Sequence, residues 1–124
     1  MSDNIQLPHQ HHDCNLESKL IHNMPSDETA ASVADAMKQL GDPSRLKIFW
    51  LLCHTEECVI NVAAIVNMSS PAVSHHLKLL KAAGLLVTRR DGKEVYYKAA
   101  DTTLVKELHQ TIEKIANISC SEIL

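Results

Sequence analysis

Ser69-Ser70-Pro71-Ala72-Val73-Ser74-His75-His76-Leu77-Lys78-Leu79-Leu80-Lys81-Ala82-Ala83-Gly84-Leu85-Leu86 decides how the rest of the chain is read. Val73, Leu77 and Leu80 recur at steps of four and three, which lines one apolar stripe along a helix. Ser70, Ser74, His75, Lys78 and Lys81 fall on its other faces. Ser69 or Ser70 suits the N-cap, Pro71 sits in the first turn where its missing N–H costs nothing, and Gly84 closes the far end. Next come two β-rich runs, Leu85–Arg90 and Glu94–Lys98, joined around Asp91-Gly92, a dipeptide suited to the positive φ of a tight hairpin. A capped helix with small polar residues at its start, running straight into a basic hairpin, predicts a winged helix-turn-helix. The fold class expected is therefore mainly α with a small β-hairpin.

The chain upstream agrees. Ala31, Val33, Ala34, Met37 and Leu40 form a helical stripe from Glu28 that stops at Gly41-Asp42-Pro43. Asp42 and Pro43 then start a second helix, Pro43–Cys53, in which Leu46, Ile48, Phe49, Leu51 and Leu52 read as core. A third short helix, Cys58–Asn67, leads through Met68-Ser69 into the opening stretch, which is helix-turn-helix spacing. Downstream, Ala100–Ile118 predicts a long amphipathic helix capped by Asp101 or Thr102, with Leu104, Leu108, Thr111, Ile112, Ile115 and Ile118 on one face. So wide a stripe exceeds what the small core can cover, and a homodimer through the first and last helices is expected.

With 124 residues and 45% hydrophobic side chains, the chain has material for one core of ordinary size. Residues 28–118 are expected to form it, with 1–27 as a flexible arm holding at most a short helix around Leu16–His22, and 119–124 as a tail. The net charge of −3 gives no global sign of nucleic-acid binding. Locally, however, Lys78, Lys81, Arg89, Arg90, Lys93 and Lys98 face only Asp91 and Glu94, a surplus of four. No apolar run reaches membrane-spanning length and no signal-peptide core is present, so the protein reads as cytoplasmic, without a membrane partner. Its four cysteines, Cys14, Cys53, Cys58 and Cys120, then read as thiols or metal ligands rather than disulfides.

Taken together, Leu40-Gly41-Asp42-Pro43-Ser44-Arg45-Leu46-Lys47-Ile48, Glu57-Cys58-Val59, Ser74-His75-His76-Leu77-Lys78-Leu79-Leu80, Gly84-Leu85-Leu86 and the hairpin Gly92…Tyr96-Tyr97 resemble the ArsR/SmtB family of metal-responsive repressors. The resemblance covers residues 30–118. It implies a dimer that holds a pseudo-palindromic double-stranded operator when metal-free and leaves it when an effector ion binds. It also implies that Cys58 is a ligand. Ile60 stands where the arsenite and cadmium patterns have a second cysteine, and Asn61 where the zinc pattern has aspartate. In the tail-assisted version of that site the N-terminal arm supplies the remainder, and Cys14 with His9, His11 and His12 offers a thiol and three imidazoles within six residues. The family's second site, on the last helix, keeps Asp101 but has Thr103, Lys114 and Asn117 at its other positions, so it reads as lost.

The expected effector is Zn(II) or a softer ion such as Cd(II) or Pb(II), bound by Cys58, Cys14, His9, His11 and His12. Asn61, His22, Asp101, Cys120 and the pair His109 and Glu113, one turn apart but out of register with the family pattern, are secondary candidates. DNA contact is expected from Ser70, Ser74, His75 and Lys78 on the helix and from Arg89, Arg90 and Lys93 on the wing. His76 is a core histidine or a hydrogen-bonded link toward the metal helix. A thiol-based redox or metalloid sensor on this scaffold, and a metal-buffering or interaction protein, are the competing readings. No nucleophile with its base, phosphate loop or HExxH is present, so no enzyme is expected.

Overall fold

The computed structural model describes residues 7–11 and 14–118, with the side chain of Cys14 left aside. The chain divides into two units, residues 1–32 and 33–124. The first holds helix α1 (Cys14–Asn23) and the start of α2 (Asp27–Gln39). Ser26 caps α2, its hydroxyl accepting from the backbone N–H of Thr29 at 3.1 Å.

The second unit carries the remaining elements: α3 (Pro43–His54), β1 (Glu57–Cys58), α4 (Val59–Val66), α5 (Ser70–Ala82), β2 (Leu86–Asp91), β3 (Glu94–Ala99) and α6 (Thr103–Ala116). Helix starts follow the capping residues. The Asp42 carboxylate accepts from Arg45 N at 2.9 Å, Ser69 Oγ from Ala72 N at 3.3 Å, and Thr102 Oγ1 from Val105 N at 3.2 Å. Thr102, and not Asp101, is thus the cap of α6. Between α4 and α5 the chain turns at Asn67, which takes the left-handed conformation at φ 57°, as asparagine tolerates. Gly84, at φ +78°, ends α5 and releases the chain into the hairpin.

The hairpin is the expected one, with Asp91 opposite Glu94 and Gly92 at φ +64°. The sheet gains a third strand that the sequence does not announce. β1 pairs antiparallel with β3, Glu57 opposite Tyr97 and Cys58 opposite Tyr96, giving the order β1-β3-β2. Cys58, expected to open a helix, is instead the last residue of β1 and the extended N-cap of α4.

The core is drawn from every helix of this unit: Ala36, then Ile48, Phe49 and Leu52 of α3, Val62 and Ala63 of α4, Val73, Leu77 and Leu80 of α5, and Val105 of α6, closed by Leu85, Leu86 and Ala100. Each large side chain here contributes about 1.5–3 kcal/mol by leaving water. The stripes of the two outer helices divide differently from the sequence expectation. On α6, Leu104, Leu108 and Ile112 pack on the protomer's own core, and Ile115 is left 82% exposed. On α2, Ala36 and Gln39 point inward while Val33 and Met37 are exposed, Met37 by 59%. Among the described residues, no helix is long and apolar enough to cross a membrane.

Candidate functional site

Helix α5 separates its faces as its periodicity requires. Val73, Leu77 and Leu80 are buried, whereas Ser70, Ser74, His75, Lys78 and Lys81 are exposed. Ser70 lies in the first turn, where free N–H groups and the positive end of the helix dipole favour an anion. The wing adds Arg90, Lys93 and Lys98, all exposed. Arg89 is different, because its guanidinium is held in place. Its Nε donates to Glu56 Oε1 at 2.7 Å and its Cζ lies 4.5 Å from the centre of the Tyr96 ring. Glu56 and, more weakly, Asp91 at 3.9 Å hold the Arg89 proton above the usual arginine range.

Behind α5 a polar network fixes the helix to the α2–α3 corner. Arg45 Nε donates to His76 Nδ1 at 3.2 Å, and Arg45 Nη1 donates to Gln39 Oε1 at 2.7 Å. Gln39 Nε2 in turn donates to Asp35 at 3.3 Å. Arginine only donates, so His76 Nδ1 must accept and its hydrogen sits on Nε2, which faces Asp42 Oδ2 at 3.9 Å. Burial holds His76 below the ordinary histidine value, with Asp42 opposing in part. The Asp42 carboxyl is lowered chiefly by the N–H of Arg45. The link expected from His76 to a metal helix therefore runs, among these contacts, to Arg45 and Gln39.

The candidate ligands are distributed as follows. Cys58 is half-buried at the start of α4, and Asn61 beside it donates its amide to Glu57 Oε2 at 2.8 Å, an engagement that suits a hydrogen-bonding side chain and not a ligand. Asp101 pairs with Lys106 at 3.1 Å, and Thr103, Lys114 and Asn117 offer no ligand set around it, so the last-helix pattern does not fit a metal. In the first unit the His9 and His11 rings stack 5.8 Å apart, and His22 lies on α1. His12, Cys120 and the side chain of Cys14 fall outside the described residues. Cys53 packs against the core, as its place on α3 predicts.

One group does converge. His109 and Glu113, a turn apart on α6, meet His54, the last residue of α3. His109 Nε2 lies 3.1 Å from His54 Nε2 and 3.1 Å from Glu113 Oε1, and Glu113 Oε2 lies 3.7 Å from His54 Nε2. Among the described residues this is the single group of three or more His, Cys, Asp or Glu side chains whose ligand atoms lie within 4.8 Å of one another. The i, i+4 spacing of His109 and Glu113 is visible in the sequence. His54 is 55 residues away from His109, and only the packing of α3 on α6 brings it in.

The model for "Bacterial regulatory protein, arsR family" matches residues 42–88, from the cap of α3 into β2. A "Transcriptional repressor SmtB homolog" of Synechocystis sp. is 40% identical over 74 residues, covering 60% of this chain and 56% of the relative. A "Cadmium resistance transcriptional regulatory protein CadC homolog" of Staphylococcus aureus is 41% identical over 83 residues, covering 66% of this chain and 65% of the relative. The match thus spans little more than half of the first relative and just under two thirds of the second. Among solved structures, the homodimeric winged helix-turn-helix DNA-binding domain Mb0332 of Mycobacterium bovis superposes with a TM-score of 0.64. It is 33% identical, over 76% of this chain and 89% of that one.

Proposed function

Because the chain belongs to the arsR family of bacterial regulatory proteins, we propose that it is a cytoplasmic, metal-responsive transcriptional repressor and not an enzyme. As a homodimer it binds a pseudo-palindromic operator in the metal-free state and releases it on binding Zn(II) or a softer ion such as Cd(II) or Pb(II). The observation that carries the reading is the exposed polar face of α5 beside the basic wing, on a helix whose other face is locked into the core. Ser70, Ser74, His75 and Lys78 are the side chains for the major groove, and Arg90 and Lys93, with Arg89 braced behind them, meet the phosphates.

The dimer reading is supported by what the protomer leaves uncovered. Val33 and Met37 on α2 and Ile115 on α6 are large apolar side chains in water, and a second copy would bury them. Cys58 is the ligand proposed for the effector, with Cys14, His9, His11 and His12 of the arm completing the set. The Cys58 and Cys14 thiolates and the arm's imidazoles would donate to the ion, which would act as their shared Lewis-acid centre. Names of relatives that mention cadmium resistance and SmtB support an effector of this class. Release follows if the dimer that closes the site holds DNA less tightly, by roughly 5- to 150-fold for couplings of ordinary size.

Fluorescence anisotropy on promoter DNA, with and without Zn(II) or Cd(II), tests the reading with wild type and Cys58→Ser. The expected outcome is tight metal-free binding by both and metal-driven release of the wild type alone. Equal release of both proteins would remove Cys58 from the mechanism, and failure to bind DNA would remove the repressor.

A further inference from the structure

We propose that His54, His109 and Glu113 form a second metal site, lying wholly within one protomer, with an N₂O donor set suited to Zn(II) and related first-row divalent ions. The two Nε2 atoms lie 3.1 Å apart, with Glu113 Oε1 3.1 Å from that of His109 and Glu113 Oε2 3.7 Å from that of His54. Donors bound tetrahedrally at about 2.0–2.2 Å from zinc lie roughly 3.3–3.5 Å from one another, so an ion fits among these atoms with shifts of a few tenths of an ångström. His109 Nε2 is equally close to His54 and to Glu113, and a single N–H can serve only one of them at full strength. A central cation satisfies all three at once.

The surroundings favour a cation. His54 ends α3, where the carbonyl end of the helix dipole lies, and Glu113 supplies a negative charge at only 11% side-chain exposure. The Trp50 ring packs 4.5 Å from that of His54 and lowers the local dielectric. A cavity of about 200 Å³, lined by Cys53, Asp101, Lys106 and His109 among others, borders the site and gives an ion and its water a way in. Three protein ligands leave the fourth position to that water. Two imidazoles and a carboxylate select borderline ions, whereas Cd(II) and Pb(II) prefer thiolate. This site therefore differs in chemistry from the one proposed at Cys58, and its occupancy can be read without DNA.

The test is Co(II) and Zn(II) titration of the full-length Cys58→Ser protein, followed by cobalt absorption and by emission of Trp50, the single tryptophan of the chain. We expect one Co(II) per protomer, ligand-field bands without thiolate charge transfer, and quenching of Trp50. Adding His109→Gln should weaken binding by at least roughly 10-fold and abolish the quenching. Glu113→Gln, which keeps shape and hydrogen bonding, should weaken binding likewise and stands in if the first variant folds poorly. Thermal stability of the Cys58→Ser protein should rise with Zn(II), and less so in either variant. Quenching that persists unchanged in both variants, or a Cys58→Ser protein that takes up no metal, would overturn the site.

Discussion

At the scale of the residue, His76 shows how one imidazole can report on the seating of α5. Its Nδ1 must stay unprotonated to accept from Arg45, and burial already holds its proton affinity down. In the unfolded chain it titrates at the ordinary value of about 6.5. As pH falls below that value the unfolded state gains a proton that the folded state resists, so stability declines until the lower folded value is passed. Melting temperature measured from pH 7.5 downward should therefore fall, and His76→Gln, whose amide oxygen can still accept from Arg45, should flatten part of that slope. An unchanged slope would mean that other histidines carry the effect. His76 itself was legible as a helix residue of uncertain partner, and its partner was not, because Arg45 lies 31 residues earlier in the chain.

Elements were legible where a cap or a turn residue marks them. Asp42 caps as its position predicts, Ser69 and Thr102 take the caps that the sequence left open between Ser69 and Ser70 and between Asp101 and Thr102, and Asp91-Gly92 makes its hairpin. β1 was not legible, since two residues have no period and its pairing with β3 is decided by the returning hairpin. The same limit hid the brace on Arg89, which needs Glu56 from the loop before β1. That brace divides the wing into fixed and available charge. Arg90→Ala and Lys93→Ala should each reduce the salt slope of DNA binding by about one. Glu56→Gln should release Arg89 and steepen it, and binding isotherms at several salt concentrations distinguish these outcomes.

For the whole molecule, the division of the apolar stripes matters most. The α2 and α6 stripes were each visible in the sequence, but which of their members the protomer keeps depends on how far a small core reaches. It takes Ala36, Leu104, Leu108 and Ile112 and leaves Val33, Met37 and Ile115. Met37→Glu should accordingly yield a folded monomer in sedimentation experiments, with operator affinity reduced on the order of 100-fold once the second half-site is lost. A variant that remains dimeric would place the interface elsewhere. The short strand β1 carries one more consequence. Cys58 is paired across the ladder with Tyr96, and Glu56, two residues before it, grips the arginine that rests on that same ring. Cys58, the ligand proposed above, and the wing are thus rungs of one ladder, separated by a single strand spacing of about 4.8 Å. On the proposed reading, a tug on the thiol needs no relay through the core, because the wing proposed to meet the operator is already attached to it.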